Sequence, residues 1–421
     1  MGILALEDIQ PGMILASDLR TSQGRLLLPR QAAIEAKHLR MARIWGISEA
    51  DIEGVIDQPD KNVLDSADPA LRDLFQEILA WRFANHDGKV QPMRRLMDLF
   101  VHRLNALAAA GMEQDLLRER FIGPFLSISL EQETSAPLSG RVLSCEEMLL
   151  REPSLACHPD IFHEIVEASG NPKISAAHLA EIIGKDPSLA SRLLRLVNSA
   201  FYSFENKVDT LARAAAIVGT VQIANLAVGV SVISHFKGIP SGLVDMRAFW
   251  EHSIAVGVIS RLLGVHRRIP IRERLFIAGL LHDLGRLVIY KNHLQQARAL
   301  MTLALSSSEP MHELERASWG FTHAELGSLL LRKWRIPQVI QNSVACHHAS
   351  FRSEATDEAK LVHLADVIAH ALGFGHSGLR RVPPLCLKTW DHIGLPVSVL
   401  STVAAQTDNQ LRDLMRVFAV S

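Results

Sequence analysis

The chain has 421 residues, which at about 150 residues per domain predicts two to three domains. Its 44 lysines and arginines balance 45 aspartates and glutamates, and the resulting charge of −1 argues against a protein that coats nucleic acid. Hydrophobic residues make up 48% and charged residues 21%, which excludes disorder as the main state. The cysteines Cys145, Cys157, Cys346 and Cys386 form no CxxC pair, so the sequence favours a reducing, cytoplasmic compartment over a disulfide framework or zinc ribbon.

The N-terminal 57 residues are the part of the chain with strand character. Acidic residues stand where a signal peptide needs a basic region, so no export is predicted. Two short apolar runs, residues 14–16 and 26–28, flank a Ser- and Gly-containing stretch at residues 21–25 that suits a turn. We therefore predict a small α+β module over residues 1–57.

A helical connector is predicted over residues 58–137. Residues 58–62 and 65–69 concentrate helix-breaking and charged residues, as a linker does. Apolar residues then recur at helical spacing, for example at Leu96, Phe100 and Leu104. The connector is expected to pack on its neighbours, and packing on a second copy of the chain, as a homodimer, is left open.

Residues 138–421 are predicted to be all-α, because helix-capping residues follow one another. Ser175 begins a helix that ends near Gly184, and Asp186 caps the next helix, with Pro187 at its first position. This pair is similar to a helix-turn-helix, but the apolar circumference of its second helix favours core packing, and no DNA partner is expected. Residues 214–234 carry no charge, yet the break at Gly219 predicts a buried helix pair rather than a membrane span.

The histidines suggest a metal site. Of 19 histidines, 11 fall between His252 and His376, and the adjacent pair His282-Asp283 is predicted to close an apolar helix, with Gly285 as its stop. An imidazole binds one metal ion, whereas a carboxylate can bridge two. The candidate ligands on or beside apolar helices are His252, His282, Asp283, His323, His347, His348 and Asp366. This set of nitrogen and oxygen donors suits two divalent ions such as iron or manganese.

Other patterns are given structural interpretations. His293, His363, His370 and His376 are expected to be ordinary core or surface residues. Residues 373–378 satisfy GxGxxG, but they follow a helical pattern instead of a strand, so they are predicted to form a loop. His163-Glu164 lacks the second histidine of an HExxH site.

Several motifs resemble a known family. Residues 185–202, KDPSLASRLLRLVNSAFY, resemble the signature of HDOD domains, the HD-related output domains of bacterial signalling proteins. The similarity continues through residues 215–219, 249–253 and 282–286 and covers about residues 140–370. The pattern around Gly320, His323, Gly327, Trp334 and Pro337 is similar to that of the HD-GYP phosphodiesterases, which cleave cyclic di-GMP. Residues 11–16 and 24–28 resemble a module that precedes such domains.

The resemblance implies an all-α domain of the HD superfamily, with the seven candidate ligands on the family's dinuclear metal site. Many HDOD domains lack these ligands. The chain departs from the HD-GYP pattern because Ala349 follows the histidine pair and only 17 residues separate His348 from Asp366, so the Gly-Tyr-Pro substrate loop is missing. Ala248 stands where some members have a third-metal glutamate, so two ions are predicted. Arg286 replaces the family's lysine and can clamp a phosphate, but it does not readily release a proton.

Three functions follow as hypotheses. The first is a bacterial regulatory protein that retains the metal site and acts through conformational change and a signalling partner. The second is a metal-dependent phosphohydrolase or phosphodiesterase acting on a nucleotide ligand such as cyclic di-GMP, with Asp283 between the metals and Arg286 on the phosphate as catalytic residues. The third is a scaffold without metal, in which the histidines belong to the core.

Overall fold

The structure of the chain is a computed structural model. It describes residues 2–6, 9–20, 26–44, 47, 49–53, 63–122, 144–150, 160–171, 173–202, 204, 206–236, 239, 243–270, 272–307, 309–352 and 355–418. The predicted turn at residues 21–25, the first part of the linker at residues 58–62, Cys157 and both predicted domain boundaries lie outside these ranges.

The N-terminal module combines two strand pairs with one helix. Strand β1 (Gly2–Ala5) pairs antiparallel with β4 (Glu49–Ile52), and β2 (Leu19–Arg20) pairs with β3 (Leu26–Leu28). Helix α1 spans Ala36–Ile44. The apolar run at residues 14–16 makes only single bridges, from Ile14 to Ala33 and from Leu15 to Ile52, rather than the predicted strand. Apolar side chains between residues 6 and 52 form a separate hydrophobic core.

The connector is helical, as its spacing predicts. Two short 3-10 turns, Val63–Ser66 and Pro69–Leu71, precede α2 (Arg72–Arg82), α3 (Gln91–Ala109) and α4 (Gln114–Phe121). The predicted apolar face of α3 is buried, since Leu96, Phe100 and Leu104 are at most 1% exposed. These side chains join the large core that extends to residue 418, so the connector packs against the C-terminal helices.

The remaining described chain is helical, which confirms the predicted fold class of a mainly α protein with a small α+β module. In chain order, the helices are α5 (Cys145–Leu150), α6 (Asp160–Gly170), α7 (Ala176–Gly184), α8 (Pro187–Val197), α9 (Leu211–Val218), α10 (Thr220–His235), α11 (Met246–His266), α12 (Arg272–Leu281), α13 (Leu284–Asn292), α14 (Leu294–Ser306), α15 (Met311–Trp319), α16 (His323–Lys333), α17 (Gln338–Cys346), α18 (Asp357–Ala371), α19 (Leu387–Ile393) and α20 (Val399–Val417).

Local chemistry sets the helix boundaries. The Ser175 hydroxyl accepts a hydrogen bond from the His178 amide, and one Asp186 oxygen accepts from the amides of Ser188 and Leu189. Gly219, at a φ of 111°, joins α9 to α10 as the sequence predicts. No single helix in the described ranges is long and apolar enough to cross a membrane, although α9 and α10 together reach that length and composition with a bend of 118°.

A close helix crossing positions the centre of the C-terminal core. A Cβ atom on Gly279 of α12 would lie 2.8 Å from the backbone of Gly257 on α11, so side chains larger than glycine would force these helices apart. Helix α18 packs against α11 on another side. This arrangement brings the middle of α11, the end of α12 and the middle of α18 together.

Candidate metal centre

The seven predicted ligands converge on this point. His252 lies in α11, His282 and Asp283 join α12 to α13, and Asp366 lies in α18. His323 begins α16, and His347 and His348 follow α17. The ligand atoms form two groups, each with all its members within 4.8 Å of one another. These are Asp283 with His323, His347 and His348, and His252 with His282 and Asp366.

Asp283 connects the two groups. Its Oδ1 atom lies 3.0 Å from His323 Nε2 and 4.0 Å from His347 Nε2, whereas its Oδ2 atom lies 3.3 Å from His282 Nε2. Each carboxylate oxygen therefore faces a different group. A carboxylate in this position has the geometry of a ligand that bridges two ions.

Asp366 is the acidic member of the second group. Its Oδ1 atom lies 3.1 Å from His252 Nε2 and 3.7 Å from His282 Nε2. His370, one helical turn further along α18, places its Nε2 atom 3.4 Å from the same oxygen. The sequence assigned His370 to the core, and the structure shows that it also borders the second group.

Hydrogen bonds on the outer sides of the rings orient the histidines. The Nδ1 atoms of His282 and His347 lie 2.7 Å from the carbonyls of Gly279 and Val344, respectively. Glu315 accepts from the His323 amide at 2.8 Å and lies 2.5 Å from His323 Nδ1. Carbonyls and carboxylates accept hydrogen bonds, so the Nδ1 atoms carry protons and the Nε2 atoms face inward.

A capping box fixes the position of His323. The Thr322 hydroxyl accepts from the Glu325 amide at 3.3 Å, and the Glu325 carboxylate accepts from the Thr322 amide at 2.9 Å. His323 is therefore the first residue of α16. Gly285 does not stop the preceding helix, as the sequence suggested, because α12 already ends at Leu281. Gly285 lies inside α13, where a Cβ atom would be 2.0 Å from the His323 carbonyl. Its small size permits α13 and α16 to touch.

The protonation pattern of the metal-free site is uneven. Burial, together with neighbouring imidazoles, holds the pKa of His347 and of His348 well below the ordinary histidine value. Burial also opposes charging of His282 and His323, but carboxylates next to each ring outweigh this effect and raise both pKa values. Burial raises the pKa of Asp366, but the surrounding histidines lower it more strongly. The metal-free site thus contains ionised carboxylates and the neutral rings of His347 and His348, which are forms that bind metal, whereas His282 and His323 must first lose a proton.

Unsatisfied buried atoms provide the test of whether metal ions fit. Both ring nitrogens of His252, the Nε2 atoms of His282 and His347, and Asp366 Oδ1 are buried without a hydrogen bond of acceptable geometry. A buried polar atom without a partner costs about 1–3 kcal/mol. Several such atoms aimed at common points are the arrangement expected of a ligand set, so the donors fit divalent cations.

Arg286 lies beside Asp283 and is buried. Its Nε atom donates to Asp283 Oδ1 at 3.0 Å, and only 7% of the residue is exposed. Burial disfavours its charge, but Asp283 and the Tyr290 and Glu315 side chains raise its pKa overall. The guanidinium therefore stays charged beside the metal centre.

A small cavity of about 60 Å³ lies next to this centre. Its walls include Arg286, His348, Asp366 and His370 on one side, and Asn85 with residues of the 377–384 stretch on the other. We call residues 373–384, between α18 and α19, the covering segment. The Tyr290 hydroxyl, on α13, donates a hydrogen bond to the Ser377 carbonyl at 2.6 Å. This bond holds the covering segment over α13.

The GxGxxG pattern belongs to the covering segment and forms a loop, as predicted. Gly375, at a φ of 58°, lies so close to α11 that a Cβ atom would be 2.1 Å from the Ala248 carbonyl and 2.6 Å from the His252 amide. The glycine is therefore required by backbone packing beside a metal ligand. A nucleotide fingerprint is not needed to explain it.

Some residues around the site gave no sequence signal. Glu315 binds His323 from α15, and His312 stacks on His348 with ring centroids 4.2 Å apart. Neither residue stands at a sequence spacing that would associate it with a ligand, because each contact joins two different helical segments. Burial lowers the pKa of His312 to about 4. His363 has the predicted structural role, since its two nitrogens contact the His347 carbonyl and the Cys386 amide.

Comparisons with known proteins identify relatives of part of the chain. Residues 155–350 match the family model of the HDOD domain. An uncharacterised protein of Treponema pallidum (strain Nichols) is 25% identical over 193 residues, which are 45% of this chain and 37% of that protein. Ribonuclease Y of Lactobacillus gasseri is 29% identical over 171 residues, 38% of this chain and 25% of the enzyme. The chain thus spans well under half of either relative.

Two solved structures share the fold. An HDOD domain protein of unknown function from Geobacter sulfurreducens superposes with a TM-score of 0.51 at 20% identity, covering 65% of this chain and 99% of that one. A protein from Marinobacter aquaeolei VT8, titled as a candidate signal transduction protein, gives 0.52 at 18% identity and covers 68% of each chain. The family match, the recurring helical architecture and the motifs at residues 185–202 and 282–286 together assign an HDOD domain to residues 155–350 of the chain.

Proposed function

We propose that this chain is a regulatory protein whose HDOD domain binds two divalent cations and signals through a partner. The observation that carries the proposal is the convergence of five histidines and two aspartates into two groups joined by Asp283. The name of the Marinobacter structure, with its reference to signal transduction, supports the same assignment.

The donor atoms favour iron or manganese. Each group contains imidazole nitrogens and carboxylate oxygens, and no thiol belongs to either. Such mixed donors suit these ions, whereas a thiolate-rich set would favour zinc. When bound, the ions would supply concentrated positive charge for an anionic ligand. His282, His323 and His347 would present Nε2, each oriented by its outer hydrogen bond.

The small volume of the site supports regulation over turnover of a large substrate. The cavity beside the candidate ligands has a volume of only about 60 Å³. Ligand sites for drug-sized molecules generally have volumes of about 300–1,000 Å³. A cyclic dinucleotide would therefore require displacement of the covering segment. Such a displacement is also a change that a partner can detect.

Elemental analysis tests the metal assignment. Protein expressed with iron or manganese should contain about two ions per chain, and Asp283→Ala should lose most of both because it removes the residue that connects the two groups. His266→Ala is a matched control, since His266 is exposed at the end of α11 and belongs to neither group. Equal metal content in Asp283→Ala and the control would contradict the proposal.

Partner binding tests the regulatory assignment. The metal-loaded protein and the metal-free protein should capture different sets of partners when each is immobilised. Identical partner sets, together with rapid turnover of a phosphodiester by the loaded protein, would instead identify an enzyme.

A phosphohydrolase is the second candidate, and Arg286 is the observation that favours it. Its guanidinium lines the cavity beside Asp283 and can bind two phosphate oxygens at once. The similarity to a protein named Ribonuclease Y also points to phosphodiester chemistry. Hydrolysis of cyclic di-GMP or a generic aryl phosphodiester should fall at least about tenfold in Arg286→Gln, the loss expected of one charged contact. Hydrolysis that persists in Asp283→Ala would remove this candidate.

A further inference from the structure

The covering segment also lines a second cavity, which contains none of the seven candidate ligands. It has a volume of about 990 Å³ and is lined by the end of α2, α3, α4, the start of α11, the covering segment and α20. Seven arginines and four acidic residues line it, with no lysine. We call it the arginine cavity. Its walls are therefore strongly cationic, although the whole chain is nearly neutral.

The acidic side chains neutralise only part of this charge. Asp408 accepts from Arg103 at 2.5 Å, and Glu251 lies 3.8 Å from Arg120. Two other arginines have only neutral partners within ion-pair distance among the described residues. Arg82 donates to the His370 carbonyl, and Arg380 donates to the carbonyls of Glu119 and Ile122.

These two arginines are deeply buried. Arg82 is 2% exposed and Arg380 is 7% exposed, and the Nε atom of each is buried without a hydrogen bond. Burial and the nearby charges of Arg380 and Arg120 lower the pKa of Arg82 to about 9. An unpaired buried cation costs several kcal/mol unless a counter-charge accompanies it. A bound anion would supply that charge.

Aromatic rings hold the guanidinium groups in place. The Arg82 guanidinium lies 4.9 Å from the centre of the Phe100 ring, and that of Arg103 lies 4.3 Å from the centre of the Phe374 ring. Contacts of this kind restrict the side chains before a ligand arrives. A preordered arginine loses less entropy on binding phosphate than a free one does.

Part of the cavity wall is apolar. Met112 and Leu116 from the connector, and Leu411 and Met415 from α20, contribute to it. The cavity thus offers guanidinium groups for phosphates and apolar side chains for an uncharged part of the same molecule. Its volume lies in the range of about 300–1,000 Å³ that small-molecule sites occupy.

We propose that the arginine cavity binds the phosphate chain of a small polyphosphorylated molecule. Arginine suits this role because its planar group can donate to two phosphate oxygens at once. Two sources share the chemistry, a nucleoside polyphosphate and an inorganic polyphosphate, and the apolar wall distinguishes them. The proposal does not depend on the metal centre, since no arginine of this cavity belongs to either ligand group.

Calorimetric titration of the full chain, after chelator treatment and in metal-free buffer, tests the proposal. ATP and tripolyphosphate are the probes, and adenosine is the uncharged comparison. We expect ATP to bind with a Kd below about 100 μM and to weaken as salt rises, because charge contributes most of the attraction. Tighter binding of ATP than of tripolyphosphate would identify a nucleotide ligand, and equal binding an inorganic one.

Charge reversal identifies the location of binding. Arg120→Glu combined with Arg247→Glu changes two exposed residues that line the cavity and should weaken ATP binding at least about tenfold. The matched control is Arg195→Glu with Arg213→Glu, which makes the same charge change at two exposed residues outside the cavity. Circular dichroism checks that both variants are folded.

Three results would overturn the proposal. One is no detectable ATP or tripolyphosphate binding at about 1 mM ligand, an affinity too weak for a built site. Another is equal weakening in the cavity variant and the control. The third is loss of binding in the metal-centre variant Asp283→Ala with retention in the cavity variant, which would move the ligand to the metal centre while leaving the proposed metal function intact.

Discussion

Glu315 is the residue whose contribution to the metal centre is most directly testable. Its carboxylate is buried and contacts both the backbone and the ring of His323. Burial raises its pKa, but His323 outweighs that effect and lowers it overall, so Glu315 stays ionised. An ionised acceptor increases the basicity of the imidazole and fixes its orientation.

Glu315→Gln should therefore weaken metal binding about 10- to 100-fold without removing a ligand. Competition against a coloured chelator measures the change. Glu313→Gln is the control, because Glu313 lies in the same helix with 59% of its side chain exposed. Equal affinities in the two variants would show that Glu315 acts only in packing.

The pKa values of His282 and His323 give the pH dependence of binding. Both are raised in the metal-free protein, so both rings keep protons above the ordinary pKa of about 6.5. A cation must displace these protons, so its affinity should rise as pH increases above about 6.5. Without metal, the stability that these charged rings contribute is present at low pH and is lost as pH rises through their raised pKa values.

Thermal unfolding at several pH values checks both statements. The unfolding temperature of the chelated protein should fall as pH rises above about 6.5. The increase in unfolding temperature on adding manganese should grow over the same range. An increment that shrinks as pH rises would contradict the assigned protonation states.

At the scale of elements, the contact between α13 and α16 determines the distance between Asp283 and His323. Gly285→Ala would place a methyl group 2.0 Å from the His323 carbonyl, and backbone cannot move aside as a flexible side chain can. We expect a loss of stability of about 1–3 kcal/mol together with weaker metal binding. Gly184→Ala, in a helix with open space around the same position, should have little effect on either. Denaturant unfolding with metal analysis measures both quantities.

The elements also show what the sequence can predict. Caps at Ser175 and Asp186 and the apolar face of α3 depend on neighbours within one or two turns, so the sequence predicts them well. The ligand set could be proposed because His282-Asp283 is a local motif within a resemblance. Glu315 and His370 act across helices, and their chemistry depends on distances that no local spacing encodes. Gly285 was misinterpreted as a stop because a helix-ending glycine and a close-packing glycine are identical in sequence.

At the scale of the whole molecule, two separate hydrophobic cores predict two responses to metal. The core of the N-terminal module lies between residues 6 and 52, and the metal centre belongs to the core that begins at residue 67. Metal at about 100 times its Kd should stabilise the second core by about 2.7 kcal/mol and leave the first unchanged. Hydrogen exchange with and without chelator should show protection gained in α11, α12 and α18 but not in β1 or β4. Equal protection in both regions would show that the cores unfold together.

The backbone hydrogen bond between α2 and the covering segment has a mechanical consequence. The Val382 amide donates to the Arg82 carbonyl at 2.9 Å, and the Val382 carbonyl lies 3.1 Å from His86 Nε2. The connector therefore helps to hold the covering segment over the metal centre. Hydrogen bonds of this kind break when their atoms separate by about 1 Å more. A small displacement of α2 would thus break the hydrogen bonds of Val382 before it moved any metal ligand.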